Sequence, residues 1–145
     1  MKRQTIKEVL AHEAGLQEAE YHLYIIREDE TVFYIGQAGN TYNRLLYHLG
    51  WLGQSGATHV GQFILDQAPQ SDTWLFEQYT VEECAPFVLA YQATFPEDIQ
   101  AFYRAYPAKP NVNDAEEALI KLHRPCLNTA MNPQPPPLPE KYRKV

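Results

Sequence analysis

Two short runs rich in aromatic and β-branched residues, Tyr21–Arg27 and Thr31–Ile35, flank the polar triplet Glu28-Asp29-Glu30. Strand-forming runs with so brief a polar break predict a β-hairpin. The second run ends in Gly36-Gln37-Ala38-Gly39-Asn40, where glycines permit backbone angles closed to other residues. Whatever else the chain does, it has to cover a small sheet, and most of the remaining sequence reads as helix.

Residues 5–17 have helical spacing, with Ile6, Val9 and Leu10 on one face. A helix is expected over residues 41–50, where Leu45, Leu46 and Leu49 are apolar, and Gly50, Gly53 and Gly56 then mark a loop. Thr58–Gln67 predicts another helix. Asp72–Thr80 predicts a third strand, with Trp74, Phe76 and Tyr79 among polar residues. Thr80-Val-Glu-Glu83 has the form of a capping box opening a helix to about Ala93, and Thr94–Tyr106 predicts the next. Asn113-Asp-Ala-Glu116 signals a last helix, which ends before Pro125. Five prolines between Asn132 and Glu140 predict an extended or polyproline II tail. The expected architecture is α+β: a small, mainly antiparallel three-stranded sheet flanked by helices. It forms one domain over residues 1–131, with a helical insertion at 81–106 and the tail at 132–145.

The chain's 145 residues are enough for one such core. The two cysteines, Cys84 and Cys126, form no C-x-x-C pair, which argues against a disulfide framework or structural zinc and for a reducing compartment. No apolar run approaches the roughly 18 residues of a membrane span. MKRQTIKEVL lacks an apolar signal core, so a cytoplasmic location without a membrane partner is expected. The formal charge is −6, and it is unevenly spread. No Lys or Arg lies between Arg44 and Arg104, where Asp66, Asp72, Glu77, Glu82, Glu83, Glu97 and Asp98 all fall. Basic residues gather at the two ends and around Arg44, Lys121 and Arg124.

Several common motifs are excluded. Gly36-Gln-Ala-Gly39 lacks the lysine of a phosphate loop, His12-Glu13 lacks the second histidine of a zinc-protease helix, and no G-x-S-x-G elbow occurs. What remains is a dispersed set. Tyr24 and Tyr34 lie on the two hairpin strands, where they can project as neighbours from one face. Arg44 and His48, four apart, stack on one helix face. Glu116 lies near the start of a later helix, where the dipole favours a carboxylate.

In this order the residues resemble the GIY-YIG nuclease superfamily. His22-Leu-Tyr24 and Tyr34-Ile-Gly36 look like the two halves of its signature, with His22 where the family usually has glycine. Arg44 and His48 follow Tyr34 by ten and fourteen residues, the family's common spacing. Glu116-Glu-Ala-Leu-Ile120, followed by Pro125-Cys-Leu-Asn128, resembles its metal-site helix and closing Pro-x-x-Asn. The match spans roughly residues 20–48 and 113–128, and the stretch from His48 to Glu116 is long for a minimal domain.

The resemblance implies a metal-dependent endonuclease hydrolysing phosphodiester bonds, with DNA the expected nucleic acid. It implies one Mg²⁺ or Mn²⁺ held by Glu116 alone among protein ligands, a sparse ligation that suits a hard cation keeping its waters. Tyr24, Tyr34, Arg44, His48 and Glu116 would be catalytic, with Arg44 clamping the phosphate and His48 moving a proton or orienting a tyrosine. Gly36 and Asn128 would be substrate-binding or structural. Blander roles stand beside these: the tyrosines as strand aromatics, Arg44 and His48 as a solvated helix face, and Glu116 as the far end of an Asn113-x-x-Glu116 capping box. His59, His123, Trp51 and Trp74 read as structural or surface residues. The acidic middle keeps a second class open, a catalytically quiet GIY-YIG-like module binding a protein, and leaves room for a partner or a dimer.

Overall fold

The computed structural model describes residues 1–11 and 20–143. Strands β1 (Lys2–Thr5), β2 (Leu23–Glu28), β3 (Thr31–Gln37) and β4 (Leu75–Tyr79) alternate with helices α1 (Ile6–Ala11), α2 (Thr41–His48), α3 (His59–Asp66), α4 (Ala85–Gln92), α5 (Glu97–Ala105) and α6 (Val112–His123). The strands form one sheet in the order β1-β4-β2-β3, antiparallel throughout.

The expectation of three strands is therefore corrected to four. The additional strand is the polar Lys-Arg-Gln-Thr at the N-terminus, which pairs with β4 from Lys2↔Gln78 to Thr5↔Leu75. It carries no hydrophobic alternation because it is an edge strand, held by backbone pairing and by Arg3 Nε donating to Glu77 Oε2 at 2.6 Å. The helix expected over residues 5–17 begins at Ile6 and runs at least to Ala11; its remainder, with His12-Glu13, lies outside the described residues. The third expected strand starts later than Asp72, because Gln70–Thr73 form a 3₁₀ turn before it.

The central strand β2 is covered on both faces, so Leu23, Tyr24, Ile25 and Ile26 are all buried and read as a continuous apolar run. Tyr24 and Ile26 face a core built with Ile6, Val9, Leu45, Val60, Ile64, Phe76 and Trp74. Leu23 and Ile25 face the opposite core, built with Ile35, Tyr79, Ala115, Leu119 and Ile120. Helices α1, α2 and α3 thus form one layer, and α6 with α4 outside it the other. Between Ile26↔Tyr34 and Arg27↔Val32 the register shifts, leaving Phe33 as an extra residue. This bulge turns Phe33 onto the same core as Tyr34.

Residues 81–106 hold a 3₁₀ turn, α4 and α5, and α4 stacks on α6, with the Phe87 ring 5.4 Å from that of His123. The Thr80–Glu83 box forms, Thr80 N donating to Glu83 Oε1 at 2.9 Å and Glu83 N to Thr80 Oγ1 at 3.2 Å. Among the described residues no helix is long and apolar enough to cross a membrane.

The tail is extended through its prolines, but it does not hang free. It returns across the α1–α3 layer to bury Tyr142, whose ring lies 5.4 to 5.8 Å from those of Trp74, Phe33 and Phe63. The Tyr142 hydroxyl donates to Glu28 Oε1 at 2.7 Å, and Lys141 Nζ pairs with the same oxygen at 3.0 Å. Composition could not reveal this, because proline content sets the path's local conformation and not its docking. Tyr142→Ala should cost about 3 kcal/mol, the scale for emptying a buried aromatic site. Urea denaturation of the variant and of a chain ending at residue 132 should both show the loss.

Candidate active site

The site is built from β2, β3, α2, the start of α3 and α6. Tyr24 stands opposite Gly36 in the β2–β3 register, and its ring lies flat across that glycine. A Cβ on Gly36 would collide with the Tyr24 hydroxyl and ring edge. Gly36 is thus required for close approach, not for an unusual backbone angle as its sequence setting implied. Tyr34 lies two positions earlier on the same face, with its ring centroid 6.1 Å from that of Tyr24.

Helix α2 is anchored at its start. Asn40 caps it, accepting from Asn43 N at 2.9 Å, and the buried Gln78 on β4 donates to Thr41 Oγ1 at 2.7 Å. One row of the helix then runs from the exposed Arg44 down to the buried His48. The Tyr24 hydroxyl lies 2.7 Å from His48 Nε2, and His48 Nδ1 lies 2.6 Å from Thr58 Oγ1. The Tyr34 and His48 rings are 5.4 Å apart.

Thr58 is a residue that sequence reasoning missed. Its hydroxyl oxygen caps α3, accepting from Gly61 N at 3.1 Å, while it contacts His48. Gly61 makes this approach feasible, since a Cβ there would collide with the His48 carbonyl. A helix N-cap next to a glycine three residues on was the available signal, but nothing local links it to a histidine ten residues back. His59 was read as structural or surface; its ring stands 6.4 Å from that of Tyr34, at the edge of the same cluster.

Burial pushes the His48 pKa down to about 4, with the charges of Arg44 and His59 adding to the effect. The imidazole is therefore neutral at physiological pH, with one donor and one acceptor nitrogen. A chain Tyr24–His48–Thr58 can carry its hydrogen bonds in either direction. Burial raises both tyrosine hydroxyls above their ordinary value, Tyr24 well above it. Glu116 raises both further and Arg44 lowers both, so the two opposite charges act on one pair of hydroxyls.

Glu116 comes from the other layer. Helix α6 is capped by Asn111 with Asp114 in a reciprocal box, Asp114 N donating to Asn111 Oδ1 at 2.8 Å and Asn111 N to Asp114 Oδ2 at 3.1 Å. The box imagined for Asn113 and Glu116 does not form. Glu116 sits in the second turn, free of capping, and Gln37 Nε2 at the end of β3 donates to its Oε1 at 3.3 Å. Its neighbour Glu117 faces Tyr91 on α4. Asn128 bonds twice to one backbone unit, accepting from Ile35 N at 2.9 Å and donating to Ile35 O at 2.8 Å. With Leu127 N on Phe33 O at 2.8 Å, it extends pairing along the edge of β3 and stops one residue before Gly36.

Among the described residues no group of three or more His, Cys, Asp and Glu converges as a metal cage. A single carboxylate fits a different kind of site. Burial holds the Glu116 pKa above its ordinary value, against the hydrogen bond from Gln37, so its anion lacks full compensation. A hard divalent cation with its own waters would relieve that cost.

A buried neutral histidine stabilises the fold above its unfolded pKa near 6.5 and loses that contribution as pH falls toward about 4. His48→Asn should therefore show a shallower fall in stability across that window than the wild type, read from urea melts. His123, whose pKa burial also lowers, is common to both proteins and cancels. No protein-family model matches the chain, and no curated protein or solved structure matches it either.

Proposed function

We propose that this chain is a metal-dependent endonuclease of the GIY-YIG type, hydrolysing phosphodiester bonds in DNA. The observation that carries the reading is the meeting of two sheet tyrosines, a neutral histidine and two opposite charges at one end of the β2–β3 pair. The members come from a hairpin, the helix after it and a helix some seventy residues further on, and packing of a sheet alone would not require that combination.

Phosphodiester hydrolysis needs an activated nucleophile, compensation of charge at phosphorus and protonation of the leaving oxygen. Bound at Glu116, Mg²⁺ or Mn²⁺ would supply Lewis acidity and a more acidic water. Arg44, at the open end of its helix row, grips phosphate oxygens with its planar fork. Tyr34 is partly open to solvent and can touch water or phosphate. Tyr24 is only 1% exposed, and its hydroxyl is engaged in a hydrogen bond with His48 that fixes the imidazole's position. Tyr34 is thus the hydroxyl we assign to the substrate, and Tyr24 is a positioning residue.

One observation favours a second reading, a catalytically quiet module binding a protein partner. The acidic middle of the chain is spread over several elements, with Glu97 and Asp98 opening α5; α5 has no buried residue, and Leu89 on α4 with Phe102 and Tyr106 on and after α5 stand exposed. Such apolar exposure is typical of a docking face.

Nicking of supercoiled DNA with Mg²⁺ or Mn²⁺ separates the two. Glu116→Gln keeps the shape and removes the charge, so cleavage should fall by at least about 10²-fold, the scale for one lost electrostatic donor. Arg44→Lys should also be damaging, because the point charge cannot grip two oxygens in a plane. A wild type that binds Mn²⁺ yet cuts neither DNA nor RNA, branched forms included, would leave the quiet module as the reading.

A further inference from the structure

From Thr31 to Leu65 the sequence contains no Asp or Glu, although the chain has 18 of them, and Arg44 is the sole Lys or Arg in the same stretch. This acid-free segment supplies β3, α2, the following loop and most of α3. Within an acidic protein, the face formed by α2 and its following loop therefore carries no carboxylate of its own. The face offers very few cations, however, and duplex binding ordinarily draws on several neutralised phosphates.

It offers aromatic surface instead. The loop after α2 is built to present it. Gly50, at φ +79°, closes the helix in a Schellman turn, with Trp51 N donating to Leu46 O and Gly50 N to Tyr47 O, both at 3.0 Å. The Gln54 amide then pins the loop, accepting from Leu52 N at 3.1 Å and donating to Tyr47 O. Tyr47, Trp51 and Leu52 are left 43%, 55% and 50% exposed. Tyr47 and Leu52, with Gly39, Asn43 and Arg44, line a cavity of about 290 Å³. The Arg44 guanidinium lies 5.4 Å from the centre of the Tyr47 ring, so the phosphate grip and the aromatic wall are one unit.

A cavity this small holds a single flat ring system and not a helix of paired bases. An exposed ring beside an arginine matches one element of how single strands are bound, the stacking of an unpaired base on an aromatic side chain next to a charge contact with the backbone. We propose that the Arg44–Tyr47–Leu52 cavity receives an unpaired nucleobase next to the phosphate held by Arg44, so that the substrate is nucleic acid with single-stranded or splayed nucleotides. The assignment of that phosphate as the one cleaved rests on the nuclease reading; the binding of a base does not.

The test is fluorescence polarisation with labelled oligodeoxyuridylate, labelled oligouridylate and a blunt duplex of equal length, in EDTA so that nothing is cut. A single strand should bind about tenfold more tightly than the duplex, and the ratio of the two single strands names the preferred sugar. Tyr47→Ala should lose about tenfold in affinity, the scale of one stacked base, while Tyr47→Phe keeps the ring and the affinity. The salt dependence should correspond to about one phosphate, a slope of roughly −0.7 on logarithmic axes. A duplex bound as tightly as the single strands, an unchanged Tyr47→Ala, or a wild type that binds none of the three overturns the proposal. Cleavage assayed on the same preparations keeps the two readings apart. Metal-dependent cutting with Tyr47→Ala binding unchanged sinks the cavity alone, and stacking without cutting sinks the nuclease alone.

Discussion

The site depends on one close approach, the Tyr24 ring lying across Gly36 on the neighbouring strand. Without a Cβ at that position the ring can lie flat against the sheet, and only then does its hydroxyl reach His48 Nε2 at 2.7 Å. The rest of the cluster is fitted to that point. His48 is held from its other nitrogen by Thr58, and Thr58 is brought there by α3 closing over Gly61 onto the His48 carbonyl. Two glycines far apart in sequence therefore set one hydrogen-bonded chain of three side chains. Buried polar chains of this kind hold geometry because each member left unpaired would be costly.

Electrostatic roles divide between the two halves of the sheet. At the β1–β4 edge the fully buried Glu77 is met by Arg3 at 2.6 Å and Arg27 at 3.5 Å, a compensated carboxylate whose role is to join strands. At the β3 edge, among the described residues, the partner of Glu116 is the Gln37 amide, and burial disfavours its charge. Paired with cations, the first carboxylate has no need of a ligand. The second is the one an added cation would stabilise, and it is the one whose charge both tyrosines sense.

Much of this was legible in the sequence, for reasons that can be named. The hairpin was legible because β2 and β3 are rich in strand formers around a three-residue break, α2 because its leucines keep helical spacing, and α3 and α6 because glycine and proline signals bound them. Strand β1 was not, since an edge strand of polar residues carries no pattern and its partner β4 lies some seventy residues away. The capping of α6 was misread by one motif, because Asn113-x-x-Glu116 imitates the box that Asn111 and Asp114 form. Thr58 and His59 were illegible as site members, because their meaning comes from where α3 docks. Tyr142 was hidden by the prolines before it. Motif spacing finds residues fixed by local elements, and docked partners of those residues leave no spacing to find.

The placement of Glu116 has a mechanical consequence. Tyr24, Tyr34, His48 and Arg44 belong to the α1–α3 layer, whereas Glu116 is carried by α6 on the opposite face of the sheet. At the end of β3, Gln37 joins the two parts by bonding both Glu116 and, at 2.8 Å, Asn113. Segment 126–128 fastens the β3 edge up to Ile35 and leaves off just before that end. The distance between the carboxylate and the tyrosine–histidine cluster is then set by how both layers pack on one strand. A cation bound at Glu116 and a phosphate held at Arg44 would bridge the layers across the strand end, so binding substrate and metal together would tighten the seam that Gln37 spans.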